Sequence, residues 1–411
     1  MNANKKIKTY DHMKASHFIA IIWMACTSIQ SLPAQIPTLE TGSQKPMPSE
    51  WIDRSTGHHI KRLTPIDQPN ESFYFHNNPF LKTPDGKADL MIYYRGSQLY
   101  VLNLKTMKHT QLTHKLARKA GEIVGKIHRE VFYQVKDSVF ATHIDRASTR
   151  LVCVFPADFK GSITTMNADE TLLAGSWAAP AKDSIYKLYP AKGEYFDRIF
   201  DAKIPHTLFS INLKTGALEK IHSEDTWLGH IQFSVTDPNI LMFCHEGPWH
   251  KVDRIWNINL KTKVIQKIHS RTVEREIAGH EFWSWDGKTI WYDLQMPRGE
   301  TFYLAGYRVA DGQQTRYQMV RDEWSIHFNV SWDQKLFCGD GGNPGQVAKA
   351  QNGMWIYLFH PEKDHLRSEK LANMKLHDYR LEPNVHFSPD GKWVIFRANF
   401  EGMSQIYAVG L

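Results

Sequence analysis

The sequence is poor in cysteine, with four among 411 residues and no Cys-x-x-Cys pair. Three of the four, Cys153, Cys244 and Cys338, follow the first 34 residues. An odd number of dispersed cysteines argues against a disulfide framework. We therefore expect these three residues to be buried apolar thiols.

Several catalytic and binding motifs are also missing. No Gly-x-Ser-x-Gly nucleophile elbow occurs, which argues against a serine hydrolase of that type. A P-loop, a dinucleotide fingerprint and a His-Glu-x-x-His motif are likewise absent. The formal net charge is +7, but no block of lysine and arginine forms the basic stripe of a nucleic-acid binder. An acidic glycan is a better match than nucleic acid for a mildly basic exported protein.

Long hydrophobic runs are scarce, and the only notable one lies near the N-terminus. Phe18 to Ile29 is mainly apolar, follows four lysines, and precedes a small-residue cleavage site at Leu32-Pro33-Ala34. The run is too short for a transmembrane helix, so residues 1–34 are predicted to be a cleaved export signal. Cys26 raises the alternative of a lipoprotein, but its surroundings make a poor lipobox. The mature chain, of net charge +4, is expected in the periplasm.

Aromatic residues (12%) and histidines (21) are abundant, and turns of one type recur along the chain. Each turn contains an aspartate and precedes a short apolar strand. The six turns are Thr83-Pro84-Asp85-Gly86-Lys87, Asn167-Ala168-Asp169-Glu170, Thr236-Asp237-Pro238-Asn239, Trp285-Asp286-Gly287-Lys288, Trp332-Asp333-Gln334-Lys335 and Ser388-Pro389-Asp390-Gly391-Lys392. The spacing of roughly 50 residues is typical of propeller blades.

The interval between the first two turn aspartates, Asp85 and Asp169, is long enough for two units. Within it, "EVFYQVKDSVFATHID" supplies a pair of strands that has no turn of the recurring type. The segment from Asp53 to Pro65 resembles the last strand of a blade but precedes the first complete unit. We therefore predict an all-β fold: one seven-bladed β-propeller of four-stranded blades over residues 35–411. The N-terminal strand completes the last blade and closes the ring. The insertion 178–205 is predicted to be a loop that decorates one face.

Six histidines lie near strand ends, at matching points of successive units. They are His76, His230, His245, His280, His327 and His386. A single histidine in such a place is more often structural than catalytic. Six around one ring, where corresponding points of the blades converge on the axis, indicate a functional site.

The series "WLGH…CHEGP…HEFW", together with "TGHHIKRLT", "YFHNNPF" and "SIHFNV", resembles the oligogalacturonate lyases, polysaccharide lyase family 22. The similarity spans nearly all of the chain after the signal. It implies cleavage of short α-1,4-linked galacturonides by β-elimination, aided by a divalent metal, typically Mn²⁺. It further implies that His280 is the general base, that Arg254 stabilises the reacting centre and that His327 is a metal ligand.

The last blade departs from the family pattern, in which a glutamine and a His-x-His pair are expected. An ungapped alignment places Glu382 and Asn384 at the two histidines and Tyr379 at the glutamine. A two-residue gap instead places His386 at the second histidine. On an extended strand Glu382, Asn384 and His386 would share one face, where carboxylate, amide and imidazole could bind Mn²⁺ or a similar ion.

His76, His230 and His245 are candidate contacts for the sugar, each with a structural role as the alternative. His245 and Glu246 could instead fix the turn at Gly247-Pro248. The function predicted from these residues is an exported lyase that acts on an acidic oligosaccharide. Two alternatives stay open: a lyase of the same fold acting on another uronide, and a non-catalytic periplasmic propeller that binds glycans.

Overall fold

The computed structural model describes residues 35–115, 117–345 and 351–411. The predicted export signal, including Cys26, lies outside the described residues. Within the described residues no helix is long and apolar enough to span a membrane. Pro37–Leu411 forms one compact unit.

The chain is built mainly of short antiparallel strands in seven groups. The N-terminal strands are β1 (Thr38–Leu39), β2 (Glu50–Asp53) and β3 (His59–Arg62). Blade 1 contains β4 (Asn70–Glu71), β5 (Phe80–Lys82), β6 (Asp89–Arg95), β7 (Gln98–Asn103) and β8 (His109–Gln111). Blade 2 contains β9 (Ala120–Gly125), β10 (Glu130–Val135), β11 (Ser138–His143) and β12 (Thr149–Val154). Blade 3 contains β13 (Ser162–Met166), β14 (Leu172–Ala178), β15 (His206–Asn212) and β16 (Leu218–Glu224).

The remaining blades follow the same order. Blade 4 contains β17 (Leu228–Phe233), β18 (Ile240–His245), β19 (Ile255–Asn259) and β20 (Ile265–Lys267). Blade 5 contains β21 (Ile277–Trp283), β22 (Thr289–Gln295), β23 (Phe302–Arg308) and β24 (Gln314–Gln318). Blade 6 contains β25 (Phe328–Val330), β26 (Phe337–Gly339), β27 (Trp355–Glu362) and β28 (His365–Asn373). Blade 7 contains β29 (His386–Phe387), β30 (Trp393–Ala398) and β31 (Gln405–Gly410). Single 3-10 turns lie at Trp249–Lys251 and Arg321–Glu323.

The fold is the predicted seven-bladed propeller, and its ring closes as predicted. The outer strand β3 pairs antiparallel with β31, with Ile60 opposite Val409. Strand β2 extends the same sheet beyond β3, so the N-terminal segment completes the last blade. Blades 5 and 6 share one continuous sheet only through the single bridge between Gln318 and His365. The unmarked unit predicted after the first turn is blade 2.

The aspartate turns join the first and second strands of their blades. In blade 5, Ser284 Oγ donates to Asp286 Oδ1 at 2.7 Å, and the backbone N–H of Lys288 donates to the same carboxylate at 3.1 Å. Gly287 has a φ of +68°, a conformation that costs glycine little. Side-chain hydrogen bonds thus stabilise the turn locally, which explains why the motif recurs.

Two of these turns also connect neighbouring blades. Trp285 Nε1 donates to the carbonyl of Val330 in blade 6, at 2.7 Å, and Trp332 Nε1 donates to the carbonyl of Ser388 next to blade 7, at 3.0 Å. The two indoles stack with ring centroids 4.5 Å apart. Each tryptophan therefore packs apolar area between blades while its N–H finds an acceptor.

The insertion in blade 3 forms two helices, so the prediction of a loop is wrong there. They are α1 (Ala181–Leu188) and α2 (Lys192–Asp201). Each is short, and Ile199 is the only buried residue of either. Each helix has an acidic residue in its first turn and a basic residue in its last turn, which suits the helix dipole, but Lys192 and Asp201 at the two ends of α2 have the opposite charges. Helices of 8 and 10 residues are too short to give a sustained period in the sequence.

The three described cysteines are free thiols, as predicted. Cys244 and Cys338 are buried, whereas Cys153 on β12 is only half-buried. Burial raises the pKa of the Cys244 and Cys338 thiols well above their ordinary value, which keeps them neutral. They act as small apolar core residues.

Candidate functional site

The first strands of blades 4 and 5 carry equivalent irregularities. The pairing of β17 with β18 shifts after Gly229, and that of β21 with β22 shifts after Gly279. The residues that follow, His230 and His280, have φ values of +45° and +49°. A bulge inserts an extra residue into a strand and re-aims its side chain. A positive φ is unusual for a residue other than glycine and marks a conformation that the surrounding structure must hold.

The position of His280 differs from the one expected near a strand end. Ile277–Trp283 is one seven-residue strand, and His280 is its central residue. The bulge lets this strand bury Glu281 and Phe282 while the His280 ring stays partly exposed. The local geometry, rather than a strand terminus, therefore sets the direction of the ring.

His280 is oriented by a carboxylate on the adjacent strand. Its Nδ1 lies 2.9 Å from Asp293 Oδ1, and the Asp293 side chain is 3% exposed. Asp293 is an acceptor when ionised, so it selects the tautomer with the proton on Nδ1. This leaves Nε2 of His280 with a free lone pair, as a general base requires.

His327 forms a second couple of the same kind. Its Nδ1 lies 2.6 Å from Asp340 Oδ2, and its own backbone N–H donates to Asp340 Oδ1 at 3.2 Å. Its Nε2 lies 3.3 Å from the Tyr74 hydroxyl and 3.8 Å from Glu382 Oε2. The rings of His280 and His327 meet at right angles, with centroids 5.1 Å apart. Two fixed imidazoles from neighbouring blades thus occupy one site.

The other candidate metal ligands are arranged differently from the sequence prediction. The extended strand on which three side chains would share a face does not form, because β29 is only His386–Phe387 and Asn384 has a φ of +51°. The Asn384 amide accepts from the N–H of Phe75 at 3.0 Å and donates to the carbonyl of Glu382 at 3.1 Å. Asn384 therefore supports the backbone around the site.

His386 is fully buried next to blade 1. Its Nε2 lies 3.1 Å from the carbonyl of Asn77. Burial lowers the pKa of His386 to about 4, so the ring is neutral and Nε2 donates to that carbonyl. Glu382, by contrast, has a side chain that is 44% exposed and faces His327.

His327 and Glu382 are the two side chains here that offer donors to a divalent ion. Among the described residues, no group of three or more histidine, cysteine, aspartate and glutamate side chains lies close enough together to hold a metal. His327 and Glu382 do converge, and a carboxylate behind a ligating imidazole, here Asp340, is the usual outer partner of a metal-bound histidine. The pair fits a two-donor cation site that water or a substrate carboxylate would complete.

Arg254 belongs to a buried chain of alternating charges. Its Nη1 donates to Glu246 Oε1 at 2.5 Å, and its Nε donates to Glu281 Oε2 at 3.0 Å. Glu246 Oε2 lies 3.1 Å from His230 Nε2, and the Trp249 indole donates to Glu246 Oε1 at 3.1 Å. The network therefore runs from the partly exposed His230 to Glu281, the residue directly after His280.

Burial and ion pairing have opposite effects on the pKa values of the charged groups in this network. Desolvation disfavours the charge on Arg254, but Glu246 and Glu281 hold the pKa of its guanidinium well above the ordinary value. Desolvation also acts to raise the pKa of Glu246 and of Glu281, yet Arg254 and His230 keep both below the usual range. All three groups are therefore ionised, and each depends on the others for its charge.

His76 and His230 line a cavity of about 850 Å³. Burial, followed by the positive potential of His230, lowers the pKa of His76 to about 3, so this ring is neutral. The His76 ring contacts Tyr74 edge-on, with centroids 5.0 Å apart, and Tyr74 in turn reaches His327. The cavity thus adjoins the paired imidazoles.

His245 is not brought together with the other histidines. Its ring lies against Trp256, with centroids 4.8 Å apart, and its Nε2 is 3.0 Å from Glu224 Oε2 at the end of blade 3. Glu224 also lies within hydrogen-bond distance of His222. This geometry favours a contact between blades. Glu246 likewise binds Arg254, His230 and Trp249 rather than fixing the Gly247-Pro248 turn.

Sequence reasoning did not identify the residues that orient the imidazoles. Asp293 is a single acid in the apolar strand "TIWYDLQ", and Asp340 lies in the "GDG" segment that follows His327 along the chain. A carboxylate in a run of apolar residues was the available signal for the first of them. Tyr74 gave no signal, because its hydroxyl meets His327 only through the ring closure of distant blades.

The chain was compared with known proteins. The family model described as oligogalacturonate lyase matches residues 46–411. An oligogalacturonide lyase of Pectobacterium atrosepticum is 26% identical over 374 residues, covering 87% of this chain and 94% of that protein. An oligogalacturonate lyase of Dickeya dadantii is 26% identical over 386 residues, with the same coverage of both chains.

Solved structures agree with the fold. An oligogalacturonate lyase in complex with manganese superimposes with a TM-score of 0.75 at 24% identity, over 88% of this chain and 95% of that chain. An oligogalacturonate lyase of Vibrio parahaemolyticus gives a TM-score of 0.74 at 24% identity, over 88% and 96% of the two chains. Because the family match covers nearly all of the described residues, the protein belongs to the oligogalacturonate lyase family and is a lyase.

Proposed function

We propose that the protein cleaves short, pectin-derived α-1,4-linked galacturonides by β-elimination and releases products with a 4,5-unsaturated uronate. The observation that carries this proposal is the pair of imidazoles, His280 and His327, each fixed by a buried carboxylate on Nδ1. The names of the curated relatives support the substrate class.

In the proposed reaction His280 removes the proton at C5 of a uronate. Asp293 keeps the proton of the neutral ring on Nδ1, so the lone pair on Nε2 takes up the C5 proton, and Asp293 then stabilises the imidazolium that forms. The electrons of the C–H bond form the C4–C5 double bond, and the sugar bonded through O4 departs. In the transition state, the carboxylate bonded to C5 carries additional negative charge.

Positive charge near that carboxylate lowers the barrier. His327 and Glu382 would hold a divalent cation, with Mn²⁺ proposed because a structural relative contains manganese. Such a cation supplies a Lewis acid for the developing charge. Arg254 is proposed as the second stabilising group, since its guanidinium contacts Glu281 next to His280. Asn384 and His386 are proposed to shape the backbone of the site instead of binding the cation.

We also propose that the protein is exported to the periplasm. The support is the sequence of residues 1–34, with its basic start, apolar centre and small-residue end.

The test is an ultraviolet assay for the conjugated 4,5-unsaturated uronate. Purified protein is incubated with digalacturonate or trigalacturonate, with and without Mn²⁺. We expect absorbance to rise, and we expect His280→Ala to abolish the rise while the far-ultraviolet spectrum stays unchanged. Retained turnover in His280→Ala would refute the assignment of the base.

A second candidate is a lyase acting on another uronide, favoured by Glu382 and Asn384 at the positions of the expected histidines. Turnover of a different acidic disaccharide, with none of either galacturonide, would replace the first proposal with this one. Binding without turnover of any uronide would indicate a glycan-binding propeller.

A further inference from the structure

A buried ammonium group lies in the wall of the large cavity without a carboxylate partner. Lys119 is 7% exposed, and its Nζ donates to the carbonyls of Ser97, Lys115 and Ala117 at 2.8, 2.9 and 3.1 Å. The neutral side-chain oxygen of Gln98 is a more distant neighbour of Nζ, at 3.3 Å. Within the part of the chain that the structure describes, Lys119 forms no ion pair. A buried charge without a counter-charge is costly, and an anion in the cavity would offset that cost.

The preceding residue adds a second positive charge to the same wall. Arg118 is exposed, lines the cavity, and makes no hydrogen bond or ion pair with any described residue. Lys119 ties the carbonyls of Lys115 and Ala117 to Ser97 in the hairpin between β6 and β7. These bonds hold Ala117 and Lys119, the two neighbours of Arg118. A guanidinium on a fixed segment can bind a carboxylate through two parallel N–H donors.

The carboxylates of the cavity do not neutralise this wall. Glu122 is occupied by the N–H of Tyr74 at 2.7 Å and by the amide of Asn77 at 3.1 Å. Burial raises the pKa of Glu122 above its usual range, which favours its neutral form. Glu71 lies 3.4 Å from Arg397 Nη1, a cation outside the cavity lining. The positive charge of Arg118 and Lys119 is therefore left for a ligand.

We propose that this wall is a subsite for the carboxylate of a second uronate unit, with Arg118 as the specificity-determining contact. The inference rests on the proposed function, because it extends the same site. Arg118 and Ser97 line the same cavity as His76, His230 and Tyr74, and the Tyr74 hydroxyl lies 3.3 Å from His327 Nε2. A neutral sugar would leave both cations unpaired, so the subsite selects acidic oligosaccharides.

The experiment measures binding separately from turnover. Trigalacturonate is titrated by calorimetry into His280→Ala protein, alone and combined with Arg118→Gln. The matched control is Arg146→Gln, which removes the same charge from the exposed turn between β11 and β12, outside the cavity lining. A second ligand, the methyl ester of trigalacturonate, has the same size without the carboxylate charge. Lys119→Met is a further variant that leaves Arg118 in place.

We expect Arg118→Gln to raise the dissociation constant for trigalacturonate about tenfold, as for the loss of one charge-assisted contact. The methyl ester should bind equally to both proteins, and Arg146→Gln should match its parent. In protein that retains His280 and is therefore expected to turn over, Arg118→Gln should raise KM more than it lowers kcat.

Three outcomes would overturn the subsite. One is equal affinity of Arg118→Gln and its parent for trigalacturonate. Another is a loss of affinity in Arg146→Gln equal to that in Arg118→Gln, which would show a long-range effect of charge. The third is a similar loss for the methyl ester. Each leaves the proposed function standing if the wild type forms the unsaturated product. If trigalacturonate binds in a charge-dependent way but the wild type forms no product from it, the subsite is supported and the proposed cleavage of galacturonides is refuted.

Discussion

At the residue scale, one hydrogen bond sets the chemistry available to His280. Asp293 lies opposite Gly279 in the pairing of β21 with β22, so its carboxylate reaches the histidine that follows this glycine. The adjoining His327 is held in the same manner by Asp340. The two imidazoles therefore present Nε2, and only Nε2, to a ligand.

Replacing the carboxylate of Asp293 tests this orientation. Asp293→Asn keeps the shape of the side chain but replaces the acceptor-only carboxylate with an amide that can also donate, so the Nδ1–H tautomer is no longer selected. We expect kcat to fall by about 10²-fold or more, with KM within about twofold of the wild type. The measurement is steady-state formation of the unsaturated product.

Asp286→Asn is the control for Asp293→Asn, because Asp286 is a turn carboxylate of the same blade. It should retain the kcat of the wild type. A wild-type kcat in Asp293→Asn would show that the hydrogen bond to His280 has no catalytic consequence.

Arg254 has a structural role in the buried network, and a catalytic role is proposed for it as well. Arg254→Met would leave Glu281 buried without its ion-pair partner and Glu246 with only His230 and Trp249 as side-chain partners. Breaking a buried ion pair typically costs about 3–5 kcal/mol, and we expect a loss of this size in the free energy of unfolding. Urea denaturation at neutral pH measures it.

Arg308→Met is the matched control for Arg254→Met, because Arg308 pairs with Asp311 on the exposed surface. Exposed ion pairs contribute little to the free energy of unfolding, so the control should unfold like the wild type. Equal stability of Arg254→Met and the wild type would contradict the buried network.

At the scale of elements, the bulge in the first strand of a blade is the device that builds the site. Blades 4 and 5 both place a Gly-His pair at this point, and both histidines have a positive φ. The surroundings of the two glycines differ. A Cβ on Gly279 would lie 3.0 Å from Asp293 Oδ1, whereas a Cβ on Gly229 would meet nothing closer than Cys244 Sγ at 3.9 Å.

This difference gives a matched pair of variants. Gly279→Ala should displace the Asp293 carboxylate by a few tenths of an ångström and so weaken its bond to His280. We expect a clear loss of kcat with little change in the thermal midpoint. Gly229→Ala makes only an ordinary van der Waals contact and should retain the wild-type rate. Equal rates in the two variants would show that crowding at Asp293 is unimportant.

The sequence predicted some elements and not others, for physical reasons. The turn at Asp286 is stabilised by its own side chains, so its pattern is local and readable. The bulge at His280 depends on its pairing with β22, which no local pattern encodes. The helices α1 and α2 have only 8 and 10 residues, so the helical spacing of their few apolar residues does not repeat often enough to identify a helix.

At the scale of the whole molecule, repetition made the fold predictable, because one turn recurs from blade to blade. Of the six histidines singled out from the sequence, His245 lies in a contact between blades, His76 and His230 line the cavity, and His280 and His327 form the pair of imidazoles. Their partners were less accessible to sequence reasoning. Asp293 comes from the next strand, and Tyr74 comes from a blade on the other side of the ring closure. Contacts of this kind appear only when the ring is assembled.

The ring closure itself yields the last prediction. Ile60 on β3 is fully buried with Trp51, Tyr407 and Val409, so one N-terminal side chain packs in the core of the C-terminal blade. Because both ends of the chain share this blade, the loss of its packing weakens the whole ring. Ile60→Ala should lower the free energy of unfolding by about 2–5 kcal/mol.

Urea denaturation, followed by tryptophan fluorescence and by circular dichroism, measures the effect of Ile60→Ala. The control is Ile127→Ala, whose isoleucine is 62% exposed and which should unfold like the wild type. If the closing strand couples the blades, the two probes will shift together in Ile60→Ala, because no blade then keeps its stability apart from the ring. A shift in one probe alone, or an unchanged midpoint, would mean that the other six blades hold the ring without the N-terminal strand.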